Sequence, residues 1–209
     1  MSSFYLHVVR TFKPGLFPAS DLKTELESRD YPGFVTVAPN TPNPNGGFTS
    51  IGTRIFDTSD TLEKYDDELM NDIDQNRAKL SLELASQCVS QKGYIFQVIE
   101  EFENNTEITP KYLVRVFMRA KHGRQSEVID LLKNGRENMD GNKPAISVLR
   151  NGSSGIVRLT HAHDSMNSVE ESFSRADSMM KSDLGIKLID ATQNAYRQMS
   201  RILFTHKMS

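Results

Sequence analysis

The chain has 209 residues, a formal net charge of -2 at pH 7, 37% hydrophobic residues and 25% charged residues. This composition predicts a globular protein rather than a disordered one. The nearly balanced charge gives no sign of the basic surface that nucleic acids and anionic membranes select, so neither is an expected partner. The single cysteine, Cys88, rules out an intramolecular disulfide and a cysteine-based metal cluster.

Targeting and membrane signals are missing from the sequence. The first ten residues lack the basic stretch and apolar core of a signal peptide. No apolar run approaches the ~20 residues that a membrane-spanning helix needs. We therefore expect a cytoplasmic protein.

The N-terminal half predicts six elements, read from runs of β-branched and aromatic residues and from helical periodicity. In chain order they are a strand at 4–12, a helix at about 19–29, strands at 33–38 and 48–57, a helical region at about 60–91 and a strand at 94–103. The C-terminal half predicts the same order. Its elements are a strand at 111–120, a helix at about 124–138, strands at 144–150 and 155–163, a helical region at about 166–198 and a strand at 200–206. Asp60-x-x-Glu63 and Ser168-x-x-Glu171 resemble capping boxes at helix starts.

The two halves stay in step at a nearly constant offset. Lys13-Pro14-Gly15 and Lys121-His122-Gly123 each follow a β-like run and precede a helical run, and they lie 108 positions apart. The strands Phe48–Asp57 and Gly155–Asp164 each end in an aspartate before a helix, 107 positions apart. We therefore predict a tandem duplication with two ferredoxin-like βαββαβ units, at 1–103 and 111–209.

A βαββαβ unit covers one sheet face with helices and leaves the other face bare. Exposing an apolar sheet face costs about 25 cal/mol per Å². We therefore expect an α+β fold in which the two units pair sheet against sheet as a dimeric α+β barrel with a lumen between them. The duplication allows a monomeric pseudo-dimer and leaves a homodimer open.

Several segments resemble one known family. Lys111–Leu132 resembles the opening strand and helix of the antibiotic biosynthesis monooxygenase domain, and Gly155–Phe173 resembles its third strand, the following acidic residue and the next helix. In the first half, Pro32-Gly33-Phe34 and Ile55–Tyr65 fit the same pattern. The resemblance implies a dimeric α+β barrel with its ligand pocket in the lumen. It also implies cofactor-independent oxygenation, haem breakdown or isomerisation as activities. Oxygenases and haem-degrading members rely on a pocket tryptophan, and this chain has none.

Alternation along the first strand of each half points three polar side chains toward the lumen. These are His7, Arg115 and Arg119, on the same face as Phe117, while the other face is apolar and suits helix packing. A buried arginine would favour an anionic ligand such as a carboxylate or a phenolate. The alternative is that these groups pair with nearby acidic residues or lie at the strand rim.

His161 and His163 lie two positions apart on one predicted strand and so share a face. This spacing suits an acid–base pair or a metal site, and ordinary surface placement is the alternative. No third ligand is evident nearby, so we expect no metal. Arg54 is the counterpart of His161 in the first half, and His206 on the last strand is a further candidate.

The sequence thus predicts a protein that binds a small, anionic or aromatic organic molecule, and the family resemblance implies activity as a cofactor-independent monooxygenase or isomerase. His7 or His161 would take a proton from an acidic C–H or phenol, and Arg115 would hold the anion. The substrate-binding set is Arg115, Arg119, Arg54, Phe117, His163 and His206. No cofactor is expected. A non-catalytic carrier or sensor, or a structural module whose lumen is filled by its own side chains, are the alternatives, and the sequence leaves open whether any chemistry occurs.

RNA-recognition domains share the βαββαβ order, which makes nucleic-acid binding a rival prediction. Their third strand carries a Lys/Arg-Gly-aromatic signature that is missing at 48–57 and at 155–163. We therefore do not expect a nucleic-acid partner.

Overall fold

A computed structural model describes residues 3–38, 47–71, 76–104 and 108–208, without the side chains of 76–78. The proline- and glycine-rich connection predicted around residues 39–46 lies outside these ranges. Within them the chain forms eight strands and six helices. In chain order these are β1 (Phe4–Phe12), α1 (Ala19–Glu27), β2 (Gly33–Val37), β3 (Thr49–Phe56), α2 (Ser59–Asn71), α3 (Asn76–Ser86), β4 (Cys88–Glu100), β5 (Tyr112–Ala120), α4 (Gln125–Glu137), β6 (Ala145–Leu149), β7 (Ile156–His163), α5 (Met166–Met179), α6 (Asp183–Ala191) and β8 (Thr192–His206).

The strands follow a single hydrogen-bonded order, β1-β3-β2-β8-β5-β7-β6-β4, which is that of a closed barrel. Strand β3 pairs antiparallel with β1 and β2, β8 with β2, and β7 with β5 and β6. The predicted α+β class and the antiparallel barrel are confirmed. The internal duplication stays a prediction.

The last strand of each half begins earlier than predicted. Strand β4 starts at Cys88 rather than 94, and β8 starts at Thr192 rather than 200. Most of the residues at the two strand starts are exposed and polar, so they lack the alternation by which a half-buried strand is recognised.

The helix starts also differ from the predicted capping boxes. Ser165, not Ser168, caps α5, and its Oγ accepts a hydrogen bond from the Ser168 backbone N–H. At the start of α2 the Thr58 and Thr61 hydroxyls each accept the other residue's backbone N–H at 3.2 Å. Serine, threonine and aspartate are all favourable N-cap residues, and several of them stand close together in each region, so composition alone did not decide which residue is the cap.

The chain divides into two compact units. Unit 1 comprises residues 1–96 together with 201–209, and unit 2 comprises residues 97–200. Both β4 and β8 contribute residues to each unit. The domain ranges 1–103 and 111–209 stay predictions.

In unit 1, helices α1 and α3 cover one sheet face. Their leucines pack with strand residues in a core of Phe12, Leu22, Leu26, Val35 and Leu84. Arg10 lies on the same face as Phe12 and forms a two-pronged ion pair with Glu25 of α1, with N–O distances of 2.7 and 2.6 Å. The even-numbered residues of β1 therefore face the helices, and the odd-numbered residues face away.

In unit 2, helices α4 and α6 cover the corresponding face. The core is formed by Met118, Ala120, Val128, Leu132, Ile146, Val148, Val157, Leu188 and Ala191. Fully burying a side chain of this size contributes about 1.5–3 kcal/mol, which fixes the direction of the alternation on β5. Met118 and Val116 face the helices as predicted, so Arg115 and Phe117 face away from them.

In the ranges that the structure describes, every helix is too short or too polar to cross a membrane.

Candidate functional site

The pairing of β5 with β7 brings two arginines to one sheet face in unit 2. Arg115 lies directly opposite Thr160, and Phe117 lies directly opposite Arg158. Residues directly opposite in an antiparallel pair share a face. These four side chains therefore stand on the face that points away from α4 and α6.

Both guanidinium groups on this face are buried. Arg115 and Arg158 are each only 2% exposed. Arg115 Nη1 donates to Ser200 Oγ at 2.6 Å, and Arg158 Nε donates to Ser147 Oγ at 3.0 Å. Ser147 is also the residue opposite Arg158 in the β6–β7 register. The two serines therefore hold the two arginine side chains in defined positions.

Two guanidinium groups contribute positive charge to this face. Burial lowers the pKa of Arg115 to about 10, so it is still a cation at neutral pH. Arginine in general stays protonated in proteins. Removing such an ion from water costs several kcal/mol, and a bound anion offsets part of that cost. The face is therefore suited to a negatively charged ligand.

Thr160 supplies a third polar group between the two arginines. Its Oγ1 is buried and has no hydrogen-bond partner among the described residues. A buried hydroxyl without a partner costs about 1–3 kcal/mol. Thr160 stands directly opposite Arg115 and two residues from Arg158, on the same face of the sheet.

An aromatic surface adjoins the arginines. The Phe117 ring stacks on Tyr196, with centroids 4.8 Å apart and planes inclined by 11°. Tyr196 is 60% exposed, whereas Phe117 is half-buried. Arg119 follows on the same alternation but is exposed and stands opposite Ile156 at the end of β5. The predicted residues Arg115 and Phe117 are thus brought together, and Arg119 lies at the margin.

Arg158 was missed by sequence reasoning, although its signal was present. The run Val157-Arg158-Leu159-Thr160 alternates between apolar and polar residues, as a half-buried strand does. The prediction for this strand rested on the two histidines that follow. Those histidines belong to the other face.

His161 and His163 lie on the helix-covered face of β7, opposite Val114 and Tyr112. Their rings are 6.1 Å apart and nearly parallel, and His163 Nδ1 is 2.9 Å from Ser168 Oγ of α5. They are therefore not on the face of Arg115. Among the described residues, no group of three or more histidine, cysteine, aspartate or glutamate side chains is arranged to hold a metal ion.

Both imidazoles are held in the neutral form. Burial, together with smaller contributions from the charges of His163, Arg175 and Arg197, lowers the pKa of His161 to about 3. Burial likewise lowers the pKa of His163, with a smaller contribution from Arg175. A conjugate acid with a pKa near 3 belongs to a weak base, so these values disfavour His161 as a general base at neutral pH.

In unit 1, His7 occupies the position that Arg115 holds in unit 2. His7 is directly opposite Thr53, as Arg115 is opposite Thr160, and His7 Nδ1 is 2.8 Å from Thr53 Oγ1. His7 is 4% exposed, and its ring centroid is 5.3 Å from that of Phe96. The hydrogen bond to Thr53 fixes the orientation of the imidazole on the face that points away from the helices.

Arg54 and His206 lie at the helix-covered side of unit 1. The Arg54 guanidinium donates to the backbone carbonyls of Glu25 and Leu26 at the end of α1. His206 Nε2 is 3.1 Å from the carbonyl oxygen of Arg29. A cation at a helix C-terminus is stabilising, so these contacts favour a structural role for Arg54.

An open groove of about 590 Å³ runs along α5. It is lined by Asn167, Glu170, Glu171, Ser174 and Arg175. All five residues are exposed, so the groove is a surface feature without the enclosed, convergent polar groups of a ligand site.

Comparisons with known proteins show similarity in fold alone. No protein-family model matches the chain, and no curated protein sequence matches it. A crystal structure named "putative monooxygenase" from Fusobacterium nucleatum subsp. nucleatum is 12% identical, with a TM-score of 0.65 over 98% of this chain and 94% of that one. An "anthrone oxidase-like protein" is 13% identical, with a TM-score of 0.60 over 97% and 92% of the two chains. A second "putative monooxygenase", from Lactobacillus acidophilus NCFM, is 7% identical, with a TM-score of 0.57 over 98% and 96%.

Proposed function

We propose that this protein binds a small organic anion on the face of unit 2 that carries Arg115, Arg158 and Thr160, and that it acts on this anion without a cofactor, as a monooxygenase or an isomerase. One observation carries the proposal: a buried hydroxyl without a partner, on Thr160, stands on the same face as two buried guanidinium groups. Three donors on one sheet face suit an oxyanion such as a carboxylate, phenolate or enolate.

The proposed oxygenation or isomerisation depends on an anion that is bound beside buried cations. Positive groups already in place lower the free energy of a substrate anion as it forms, so an acidic C–H or phenol loses its proton more easily. An electron-rich anion of this kind can be reprotonated at another carbon, which is an isomerisation. It can instead react with O₂, so that a CH₂ group becomes C=O and the second oxygen atom leaves as water. The names of the three similar structures support the oxygenation branch.

The nature of the site narrows the ligand to an anion with an aromatic or extended apolar part. The Phe117–Tyr196 stack offers a flat apolar surface beside Arg158. Aromatic pairs and arginine both favour planar π-systems. A phenolate or an aromatic carboxylate combines the two features.

The test begins with small molecules that co-purify with the protein, identified by mass spectrometry. Binding of the recovered ligand, and of benzoate as a defined probe, is then measured by calorimetry on Thr160→Val and Arg158→Met proteins. Loss of one hydroxyl contact should weaken binding about three- to tenfold, and loss of a guanidinium on the order of tenfold to a hundredfold. The matched control is Arg119→Gln, which removes an exposed arginine of the neighbouring strand β5 and should bind like the parent.

Thr160→Val also separates a ligand role from a structural one. Since the hydroxyl makes no hydrogen bond within the described residues, replacing it by a methyl group should leave the free energy of unfolding unchanged or slightly raised. Weaker ligand binding at unchanged stability is the expected result. Parental affinity in both Thr160→Val and Arg158→Met would refute the site. Oxygen uptake with the recovered ligand then distinguishes an oxygenase from an isomerase or a carrier.

A further inference from the structure

A second buried arginine environment lies in unit 1, in the turn that follows α1. Arg29 is 5% exposed, and its Nη1 and Nη2 atoms are buried without a hydrogen-bond partner among the described residues. Its guanidinium carbon stands 5.0 Å from the centroid of the Tyr65 ring. The ring face attracts the cation, but a cation–π contact does not by itself replace the in-plane hydrogen bonds of the two terminal nitrogens.

The other charged groups nearby are already engaged. Arg10 is paired with Glu25 at 2.7 and 2.6 Å. Arg54 donates to the carbonyls at the end of α1. Glu68 is hydrogen-bonded to the Tyr31 hydroxyl. Of these guanidinium groups, Arg29 is the one whose terminal nitrogens have no carboxylate or carbonyl acceptor among the described residues.

The balance of charge in the cluster favours an anion over a water molecule. The charged groups around Tyr65 and Tyr31 are three guanidinium groups, those of Arg29, Arg54 and Arg10, and two carboxylates, those of Glu25 and Glu68. A water molecule would accept from Arg29 but would leave the excess positive charge. An oxyanion satisfies the hydrogen bonds and balances the charge at once.

We propose that Arg29 anchors a second anion site, separate from the face of Arg115 and Arg158, which takes the phosphate or carboxylate group of a small molecule through a two-pronged hydrogen bond from Nη1 and Nη2. The planar fork of an arginine matches two oxygens of one such group. The rings of Tyr31, Phe56 and Tyr65, whose centroids are 5.2–5.3 Å apart, form an aromatic cluster, and Tyr65 is the ring of this cluster that the guanidinium contacts.

The site is close to solvent. Arg29 belongs to the connection between α1, which ends at Glu27, and β2, which begins at Gly33. The side chain of the next residue, Asp30, is 87% exposed. Arg29 therefore lies in a connection whose next residue is at the surface.

The test uses the full chain and two probes, inorganic phosphate and acetate, against sodium chloride at matched ionic strength. Binding is measured by the change in unfolding temperature and by ³¹P line broadening. We expect phosphate or acetate to raise the unfolding temperature of the parent above the chloride value. Arg29→Gln should weaken that binding at least tenfold. Arg29→Lys, which keeps the charge but loses the fork, should weaken it by a smaller factor.

Two control variants make the result specific. Lys23→Gln removes an exposed cation from α1 and should bind the probes as the parent does. In Arg115→Gln, the part of the phosphate binding that Arg29→Gln removes should persist while benzoate binding weakens, so a failure of the proposed function and a failure of this site are distinguishable. The proposal is overturned if neither probe stabilises the parent more than chloride does, or if Arg29→Gln or Arg29→Lys binds with parental affinity.

Discussion

At the scale of single residues, neighbouring polar side chains on β7 have different surroundings because a strand alternates between two faces. Arg158 and Thr160 share the face of Arg115, whereas His161 and His163 lie beneath α5. All four are polar and close together in sequence, so residue type alone does not show on which face each one lies. The face on which each side chain lies decides whether it can contact a bound anion or packs under a helix as a neutral group.

The two packed histidines should make the fold sensitive to mild acid. Their pKa values are lowered in the folded state, while the unfolded chain protonates them near the ordinary value of about 6.5. The neutral imidazoles therefore make their full contribution to the free energy of unfolding above about pH 6.5. That contribution is lost as the pH falls from there toward 3. The slope is at most about 1.4 kcal/mol per pH unit for each histidine, and less for His161 because it is partly exposed. Urea unfolding between pH 7.5 and 5 measures this slope.

In the His161→Gln protein, the free energy of unfolding should depend less steeply on pH between 7.5 and 5. His122→Gln is the matched control, because His122 lies exposed in the turn before α4. An unchanged slope in His161→Gln would show that this imidazole is not held neutral by the fold.

His7 of unit 1 stays one of the two bases predicted from the sequence, and a substitution tests that prediction separately from the anion-binding face of unit 2. Glutamine keeps a hydrogen-bonding group of similar reach to Thr53 but cannot take up a proton at neutral pH. We expect His7→Gln to lower turnover of the recovered ligand by about 10²–10⁴-fold with little change in its affinity. Turnover at the parental rate, measured by oxygen uptake or product formation, would exclude His7 as the base.

At the scale of elements, the helices are positioned by close backbone contacts that few residue types permit. Gly185 lies in the first turn of α6, where its N–H donates to the capping Ser182 hydroxyl. A Cβ at this position would overlap the carbonyl oxygen of Met179 and the backbone of Met180. The path of the chain from α5 into α6 therefore depends on the absence of a side chain there.

Gly185→Ala should consequently destabilise the protein by about 1–3 kcal/mol, as overpacking does. Gly93→Ala is the matched control, because a Cβ on Gly93 of β4 meets nothing within 4 Å. The control should change the free energy of unfolding by no more than about 0.5 kcal/mol. Urea denaturation of both variants measures the difference, and equal stabilities would contradict the packing described for α6.

At the scale of the whole molecule, the end of the chain is part of unit 1. Residues 201–209 belong to that unit, and β8 pairs with β2 through the register of Gly33 with His206 to Val37 with Arg201. A fragment that stops after the first predicted domain lacks this strand. The edge of β2 would then carry unpaired backbone groups, which favours aggregation.

We expect a fragment of residues 1–103 to aggregate or to give a poorly dispersed NMR spectrum. A fragment of residues 97–200, which holds unit 2 with all the strand residues assigned to it, should be the better folded of the two. If 1–103 gives a well-dispersed spectrum and a cooperative unfolding transition, the predicted domain boundary is the better description.

Much of the fold was predictable, because its signals are local. The strand predicted at 4–12 has those bounds in the structure, and the first strand of the second half differs by one residue at its start. The early starts of β4 and β8 were not predictable, since their polar, exposed residues carry no alternation. Of the candidate site, Arg115 and Phe117 followed from the alternation on β5. Arg158 was missed because the choice of face on β7 depends on its register with β5.

The sequence by itself determined the order of strands and helices and the side of each first strand that packs against helices, because both follow from the spacing of apolar residues along a short stretch of chain. Only the tertiary structure decided which distant residues meet: Arg115 with Ser200, Arg158 with Ser147, and Arg29 with Tyr65. These contacts join residues far apart in sequence. They depend on strand register and on how helices lie over a sheet, and both are set by packing of the whole unit.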